Sequence, residues 1–110
     1  MVRIARQPGA AAGLIVSIRI PADAPAGWVL YLLECTDGSF YAGITNDLPR
    51  RMAAHATGRG ARYTRSHPPR RLVGVRAYPD RATASRAEWQ IKQLPRRAKP
   101  DFLHEAHAGI

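Results

Sequence analysis

An apolar run, a glycine turn and a second short apolar run constrain this chain more than any other feature. Trp28 to Cys35 form the first run, Asp37-Gly38 is a hairpin signal, and Phe40 to Thr45 form the second run. Runs of this length joined by so short a turn are typical of paired antiparallel strands. The sequence therefore predicts a β-hairpin at the start of the folded unit.

The length of the hairpin loop decides which side chains share a face of the sheet. A two-residue loop would pair Tyr31 with Ile44 and place Tyr41 on the opposite face. A three-residue loop, Thr36 to Gly38 with its glycine left-handed, would pair Tyr31 with Gly43 and bring both phenols to one side. We predict the three-residue loop, because only that choice lets both tyrosines join one site.

Capping residues and stop signals divide the rest of the unit into four segments. In chain order they are a helix from a cap at Asn46 or Asp47 to Thr57, a basic loop from Arg59 to Arg71, a strand from Arg71 to Tyr78, and a helix from Ala82 to Leu94 capped by Asp80. The order β-β-α-β-α predicts an α+β domain, in which helices flank a small three-stranded antiparallel sheet.

We predict three parts along the chain. Residues 1–27 form an N-terminal arm with one short strand at Leu14–Ile20, and residues 28–94 form the folded domain. Residues 95–110 form a C-terminal tail with a short helix around Asp101 to Ala106.

Two observations favour a cytoplasmic location. The apolar stretch near the N-terminus ends at Arg19 and two prolines, and its last residues alternate like a strand, so it is a poor secretory signal. Cys35 is the only cysteine, so neither an internal disulfide nor a cysteine-rich zinc site can form. No apolar stretch approaches the length of a transmembrane helix, and we expect no membrane association.

The charge of the chain indicates the class of partner. Seventeen Lys and Arg residues stand against eight Asp and Glu residues, which gives a net charge of +9. Nearly all of the excess is Arg, whose planar fork suits phosphate better than a point charge does. Nucleic acid is the expected partner, and a merely basic soluble protein is the alternative.

A glutamate lies within the apolar stripe of the second predicted helix. Ala84, Ala87, Ile91 and Leu94 recur at helical spacing, and Glu88 falls among them. A buried, unpaired carboxylate is costly, so such a residue must become neutral, pair with a base or bind a metal. A salt bridge with one of the many arginines and a metal site both fit this position.

The first predicted helix carries a basic row beside its apolar one. Leu48, Met52 and Ala56 form the apolar row, while Arg51 and His55 lie one turn apart at the margin of the core. Such a pair could clamp phosphate with a titratable neighbour, or it could be a solvated basic flank.

Five motifs follow one another between Trp28 and Leu94: Val29-Leu30-Tyr31, Tyr41-Ala42-Gly43, the pair Arg51 and His55 at ten and fourteen residues past Tyr41, Gly60-Ala61-Arg62-Tyr63-Thr64-Arg65, and Glu88-Trp89-Gln90-Ile91-Lys92. With these motifs in this order, the segment resembles the GIY-YIG nuclease domain, and specifically its compact single-domain bacterial branch. The first motif keeps only the tyrosine of the family pattern, and the second has alanine in place of the usual branched residue.

The resemblance implies a metal-dependent endonuclease that hydrolyses phosphodiester bonds in DNA, with Mg²⁺ or Mn²⁺ as cofactor. Glu88 would bind the metal, Arg51 would clamp the phosphate, and Tyr31 would act as general base. Tyr41 and His55 would be hydrogen-bonded around that base. The base needs the pKa of its phenol lowered from about 10, and the charges of Arg51 and the metal have the right sign. Lys92 would only neutralise a nearby carboxylate.

The central basic segment is expected to contact the nucleic acid, through Arg62, Tyr63, Arg65, Arg70 and Arg71. Because no sequence-reading module accompanies the domain, branched, flap or single-stranded DNA is expected as substrate, with a role in DNA repair or recombination. The alternatives are a non-catalytic nucleic-acid-binding protein that retains the fold and a basic RNA-associated factor. The pair His104 and His107 offers too few ligands for a zinc site.

Overall fold

Three strands and four helices form between residues 18 and 104, the part of the chain that the computed structural model describes. The strands are β1 (Val29–Cys35), β2 (Phe40–Thr45) and β3 (Pro69–Ala77), and the helices are α1 (Leu48–Ala56), α2 (Arg62–Ser66), α3 (Arg81–Lys92) and α4 (Lys99–His104). A single 3₁₀ turn, Arg96–Ala98, precedes α4. No helix in this part of the chain is both long and apolar enough to cross a membrane.

The sheet has the order β2-β1-β3, and both pairings are antiparallel. Because β1 is central, its two faces are covered by different helices. Leu30 and Leu32 belong to an apolar cluster with residues of α3 and α4. Tyr31 and Leu33 belong to a second cluster with residues of α1. The predicted α+β architecture, a small antiparallel sheet flanked by helices, is confirmed.

The hairpin between β1 and β2 has the predicted three-residue loop. Tyr31 pairs with Gly43, and Leu33 pairs with Tyr41. Gly38 has a φ of +86°, a conformation that glycine adopts without strain, and its N–H donates to the carbonyl of Cys35. This register brings Tyr31 and Tyr41 to the same face of the sheet.

Side-chain caps set the first residues of the two long helices. Asp47 caps α1 by accepting a hydrogen bond from the backbone N–H of Arg50 at 3.2 Å. Asp80 and Thr83 form a reciprocal capping box at the start of α3. Both caps were expected from the sequence, and both helices end within two residues of the predicted positions.

The prediction of an irregular loop from Arg59 to Arg71 is wrong. Helix α2 lies inside this segment, and β3 begins at Pro69 rather than at Arg71. A helix of five residues has little more than one turn, too short for a hydrophobic period to reveal it. Pro69 is tolerated because it is the first residue of the strand, beside a register irregularity at Arg70.

The segments on either side of the predicted domain pack against it. Ile18 and Ile20 pack on the cluster beneath α1, and residues 18–20 are not a strand; the rest of the predicted strand Leu14–Ile20 lies outside the described residues. Leu103 is buried in the opposite cluster. The helix predicted around Asp101 to Ala106 is observed as α4, two residues earlier, and residues 105–110 are not described.

Candidate active site

Tyr31 lies at the centre of a polar cluster beneath α1, which it forms with Arg51, His55 and Thr64. Its side chain is fully buried, and its hydroxyl is 2.8 Å from Nε2 of His55. The same hydroxyl accepts a hydrogen bond from Nε of Arg51 at 3.3 Å. A Cβ atom at Gly43, the strand partner of Tyr31, would overlap this hydroxyl. Glycine at that position is therefore what leaves room for the phenol.

His55 is buried rather than at the margin of the core, which corrects the sequence-based expectation. Only 1% of the residue is exposed. Its pKa is lowered to about 4, because burial disfavours the charged ring and Arg51 lies close by. Its Nδ1 is 2.9 Å from the hydroxyl of Thr64, and Tyr31 occupies its other nitrogen. The helical spacing placed His55 beside Arg51, but α2 closes over it.

The pKa of Tyr31 shifts in the direction opposite to that expected. Burial raises it from 10.0 to about 12, and electrostatic interactions with Tyr41 and Glu88 add to the rise. The hydrogen bond and positive charge of Arg51 oppose this shift without cancelling it. The expected lowering relied on the charges of both Arg51 and a metal, and desolvation outweighs the contribution of Arg51.

Arg51 connects the buried phenol with an open cavity. The cavity has a volume of about 400 Å³ and is lined by Arg51 together with Thr45, Asn46, Asp47, Arg50 and Ala54. The hydrogen bond from Nε to Tyr31 anchors one side of the guanidinium. The pKa of Arg51 is raised, chiefly by this hydrogen bond to Tyr31. The side chain therefore stays charged at the boundary between core and solvent.

Tyr41 reaches the cluster through its ring. Its centroid is 6.4 Å from that of Tyr31 and 5.5 Å from that of His55. On the side of α2, Tyr41 stacks on Tyr63 at 6.0 Å, and Tyr63 stacks on His67 at 3.9 Å. His55 is hydrogen-bonded to Tyr31 as expected, whereas Tyr41 contacts Tyr31 and His55 through ring packing. A half-exposed row of rings extends from Tyr41 to His67.

Glu88 stands at the edge of the core rather than inside its apolar stripe. Its side chain is 25% exposed, and Oε2 is 3.1 Å from Nζ of Lys92, one turn further along α3. The sequence suggested a salt bridge between Glu88 and an arginine, but the observed partner of Glu88 is Lys92. The carboxylate is near enough to Tyr31 for its charge to raise the phenol's pKa. Glu88 thus belongs to the same electrostatic environment as the buried cluster.

A divalent metal could be held here by one carboxylate and water. Within residues 18–104 no group of three or more His, Cys, Asp or Glu side chains could hold a metal ion. Mg²⁺ commonly keeps several waters and takes one or two carboxylates together with substrate phosphates. A single, partly exposed glutamate fits that requirement. The zinc pair considered at the C-terminus is not tested, because His107 lies outside the described residues.

The expected nucleic-acid contacts fall into two groups. Arg62 and Arg65 are exposed on α2, and Arg70 is exposed at the start of β3. Arg71 is also exposed, but its Nε donates to Oε1 of Glu34 at 2.7 Å. Contrary to expectation, its side chain is therefore not free to reach a phosphate.

Sequence reasoning missed two contributors to the cluster. Thr64, 2% exposed on α2, hydrogen-bonds the ring of His55. A Cβ atom at Gly60 would overlap the same ring. Both residues lie inside the segment Gly60 to Arg65 quoted for the resemblance, but only the unpredicted helix α2 brings them to His55.

Comparison with known proteins identifies the family of this chain. Residues 27–100 match the family model described as the GIY-YIG catalytic domain. A UPF0213 protein of Xanthomonas campestris pv. campestris is 64% identical over 81 residues, covering 74% of this chain and 79% of the relative. The UPF0213 protein BH0048 of Halalkalibacterium halodurans is 50% identical over 74 residues, covering 67% of this chain and 79% of the relative.

A solved structure shares the fold. The solution NMR structure of the protein EF2693 from E. faecalis is 34% identical and superposes with a TM-score of 0.53. The match covers 77% of this chain and 91% of that chain. The chain therefore belongs to the GIY-YIG family, whose catalytic domain is a nuclease domain, and within it to the compact single-domain bacterial proteins that carry the UPF0213 name.

Proposed function

We propose that this protein is a metal-dependent endonuclease that hydrolyses phosphodiester bonds in DNA. The observation that carries the proposal is the buried contact of the Tyr31 hydroxyl with both Arg51 and His55, of which Arg51 also lines an open cavity. A packing role alone does not require an arginine and a histidine on one buried phenol, since burying polar groups is costly. A nuclease does require a base, a phosphate clamp and a route for a proton.

Arg51 is the phosphate clamp in this proposal. Nε of Arg51 donates to Tyr31 and the side chain lines the cavity, so the guanidinium is already oriented when a phosphate enters. Donors fixed in advance stabilise the charge that develops on the phosphate oxygens in the transition state. Arg50 lines the same cavity and adds positive charge there.

Tyr31 is the proposed general base, acting together with His55. With a pKa of about 12, a phenolate is too rare at pH 7 to serve as a preformed base. The phenol instead gives its proton to Nε2 of His55 as it takes one from the attacking water. The positive charge of Arg51 helps to keep the pKa of His55 low. A bound phosphate anion offsets that charge, so the substrate itself favours proton transfer from Tyr31 to His55.

Glu88 is the proposed metal ligand, for Mg²⁺ or Mn²⁺. When bound, the cation supplies Lewis-acid polarisation of the scissile phosphate. Lys92 holds one oxygen of the carboxylate in place through its salt bridge. Glu88 is the acidic side chain whose charge reaches Tyr31, which supports its assignment over the other carboxylates.

The proposed substrate is DNA with unpaired or branched regions, consistent with a cytoplasmic role in repair or recombination. The half-exposed rings of Tyr63 and His67 lie beside the exposed Arg62 and Arg65 on α2. Aromatic side chains next to arginines are a common means of holding unpaired bases and their phosphates. This surface adjoins the cluster at Tyr41, so a strand bound there lies close to the proposed base.

A cleavage panel tests the proposal. Linear, nicked, flap, junction and single-stranded DNA, and one RNA strand, are incubated with the protein and Mg²⁺, with EDTA as control. We expect metal-dependent cleavage that Glu88→Ala abolishes while DNA binding is retained, and Asp101→Ala, an exposed carboxylate on α4, cleaves like the wild type. Binding without cleavage of any substrate would favour a non-catalytic protein instead, and preferential action on RNA would favour an RNA-associated role.

A further inference from the structure

Thr64 occupies a position that the catalytic proposal does not explain. It is buried on a helix of five residues, and its hydroxyl lies between two groups. One is Nδ1 of His55 at 2.9 Å, and the other is the carbonyl oxygen of Ala61, also at 2.9 Å. A buried hydroxyl with two polar neighbours has its donor and acceptor roles fixed by what those neighbours can do.

The carbonyl of Ala61 fixes the direction of the hydrogen bonds. A carbonyl oxygen only accepts, so the Thr64 hydroxyl donates its hydrogen to Ala61. The threonine oxygen must then accept a hydrogen bond from Nδ1–H of His55. Since a neutral imidazole carries one proton, Nε2 is bare and accepts from the Tyr31 hydroxyl. The direction of transfer runs from Tyr31 toward His55.

Gly60 also lies against the imidazole ring of His55. A Cβ atom there would overlap Nδ1 of His55, although the φ of Gly60 is not positive and its backbone conformation does not itself require glycine. The residue is small because the imidazole needs the space. Gly60 lies just before α2 and Thr64 lies on it, so this segment holds the ring in one orientation.

We propose that Thr64 is a positioning residue that holds His55 in the tautomer protonated at Nδ1, leaving Nε2 to receive the proton of Tyr31. This inference rests on the proposed nuclease function. In the reaction Tyr31 gives its phenolic proton to Nε2 and takes a proton from water. The water oxygen bonds to phosphorus as the bond to the leaving oxygen breaks, and that oxygen takes a proton from solvent. His55 then carries a proton on each nitrogen until it returns one through Tyr31.

Two substitutions separate this role from packing. Thr64→Val keeps the shape of the side chain and removes the hydroxyl, whereas Thr64→Ser keeps the hydroxyl and removes a methyl group. Thr57→Val is the matched control, because the hydroxyl of Thr57 is exposed and bonds only to backbone carbonyls of α1. The readouts are nitrogen NMR of the His55 ring, which distinguishes the two tautomers, and single-turnover cleavage at saturating substrate.

The expected results are specific for each variant. Wild type, Thr64→Ser and Thr57→Val show the proton on Nδ1 and cleave at similar rates. Thr64→Val loses this single tautomer and cleaves about 100-fold more slowly, with unchanged DNA affinity. If Thr64→Val does not fold, the wild-type spectrum still decides, because a proton found on Nε2 overturns the inference.

The two proposals fail in different ways. The inference on Thr64 is overturned if Thr64→Val keeps the Nδ1 proton and the wild-type rate, or if folded Thr64→Ser is as slow as Thr64→Val. The NMR readout needs no substrate. A protein that cleaves nothing, yet changes tautomer in Thr64→Val, supports the positioning of His55 by Thr64 and refutes the nuclease proposal.

Discussion

The two faces of strand β1 are both buried, but they are built from different chemistry. Leu30 and Leu32 face an apolar cluster completed by Ile91 and Leu103. The other face carries Tyr31, whose hydroxyl continues into hydrogen bonds with Arg51, His55 and, beyond it, Thr64. The buried core of the first cluster consists of apolar side chains, whereas the second face buries polar groups together with their hydrogen-bond partners. Changes to the apolar face should therefore cost stability, and changes to the polar face should cost activity.

The largest effect on stability is expected at the apolar face. Leu32→Ala removes a fully buried side chain and leaves a cavity, so the free energy of unfolding should fall by about 2–5 kcal/mol. Trp89→Ala, at a site 66% exposed, is the control and should change it by less than about 0.5 kcal/mol. Urea denaturation measures both. Activity per folded molecule should stay at the wild-type level in each, and a selective loss of activity in folded Leu32→Ala would blur the distinction between the faces.

Arg51→Ala, on the polar face, should lower activity rather than stability. Loss of the charged fork at the cavity should lower the single-turnover cleavage rate by about 10²–10³, because its donors act on charge that develops in the transition state. Its control is Arg86→Ala, an exposed arginine on α3 that should cleave normally. A cleavage rate for Arg51→Ala within threefold of wild type would remove the arginine from the mechanism.

Acid should destabilise the protein through the polar face. The pKa of His55 is about 4 in the folded protein and 6.5 in an unfolded chain, so between these values the unfolded state binds the extra proton. The free energy of unfolding should fall by up to about 3 kcal/mol as the pH drops from 6.5 to 4, with the full contribution present above pH 6.5. Chemical denaturation at several pH values measures this.

A histidine variant tests the origin of the acid effect. His55→Gln should show a flatter dependence of unfolding free energy on pH, since the titrating ring is gone. His104→Gln, at an exposed site on α4, is the control variant. An unchanged slope in His55→Gln would show that other groups dominate.

Two glycines offer a smaller, matched test of the two faces. Alanine at Gly43 would overlap the Tyr31 hydroxyl, whereas alanine at Gly74 would lie 2.9 Å from Cδ1 of Leu103, the end of a flexible side chain. Gly43→Ala should cost about 1–3 kcal/mol of stability and lower the cleavage rate at least tenfold, because the phenol must move. Gly74→Ala should cost less stability and leave the rate unchanged. Equal loss of activity in both variants would contradict this difference.

The smallest effect is expected in the salt dependence of DNA binding. Arg65→Ala should reduce the slope of log affinity against log salt by about 0.7–0.9, the value of one phosphate contact. Arg71→Ala should reduce it less, because Glu34 already holds that side chain. Fluorescence anisotropy at several salt concentrations measures both slopes. Equal reductions of the two slopes would mean that the salt bridge between Arg71 and Glu34 opens when DNA binds.

Local patterns predicted those parts of the fold that depend on local chemistry. Gly38 indicates a hairpin, and Asp47 and Asp80 begin the helices, as turn and cap geometry within a few residues of chain predicts. The three-residue loop, which puts Tyr31 and Tyr41 on one face, was chosen because both tyrosines were expected in one site, and the observed register confirms it. Helical spacing likewise placed Arg51 and His55 side by side.

Features that depend on packing between distant segments could not be predicted. The burial of His55 requires α2, which is too short to have a periodic pattern. The rise in the pKa of Tyr31 reflects desolvation by several elements at once. The exposed edge position of Glu88 depends on how α3 rotates against the sheet, and a helical pattern fixes only the approximate face.

The most direct test of the account is the cleavage rate of Tyr31→Phe compared with Tyr78→Phe under single-turnover conditions with Mg²⁺. Both variants remove one buried phenolic oxygen, but that of Tyr78 has no hydrogen-bond partner among residues 18–104, while that of Tyr31 contacts Arg51 and His55. We predict that Tyr31→Phe remains folded and cleaves DNA at least about 100-fold more slowly, whereas Tyr78→Phe cleaves at the wild-type rate. A folded Tyr31→Phe protein that cleaves as fast as wild type would contradict the assignment of this cluster as the active site.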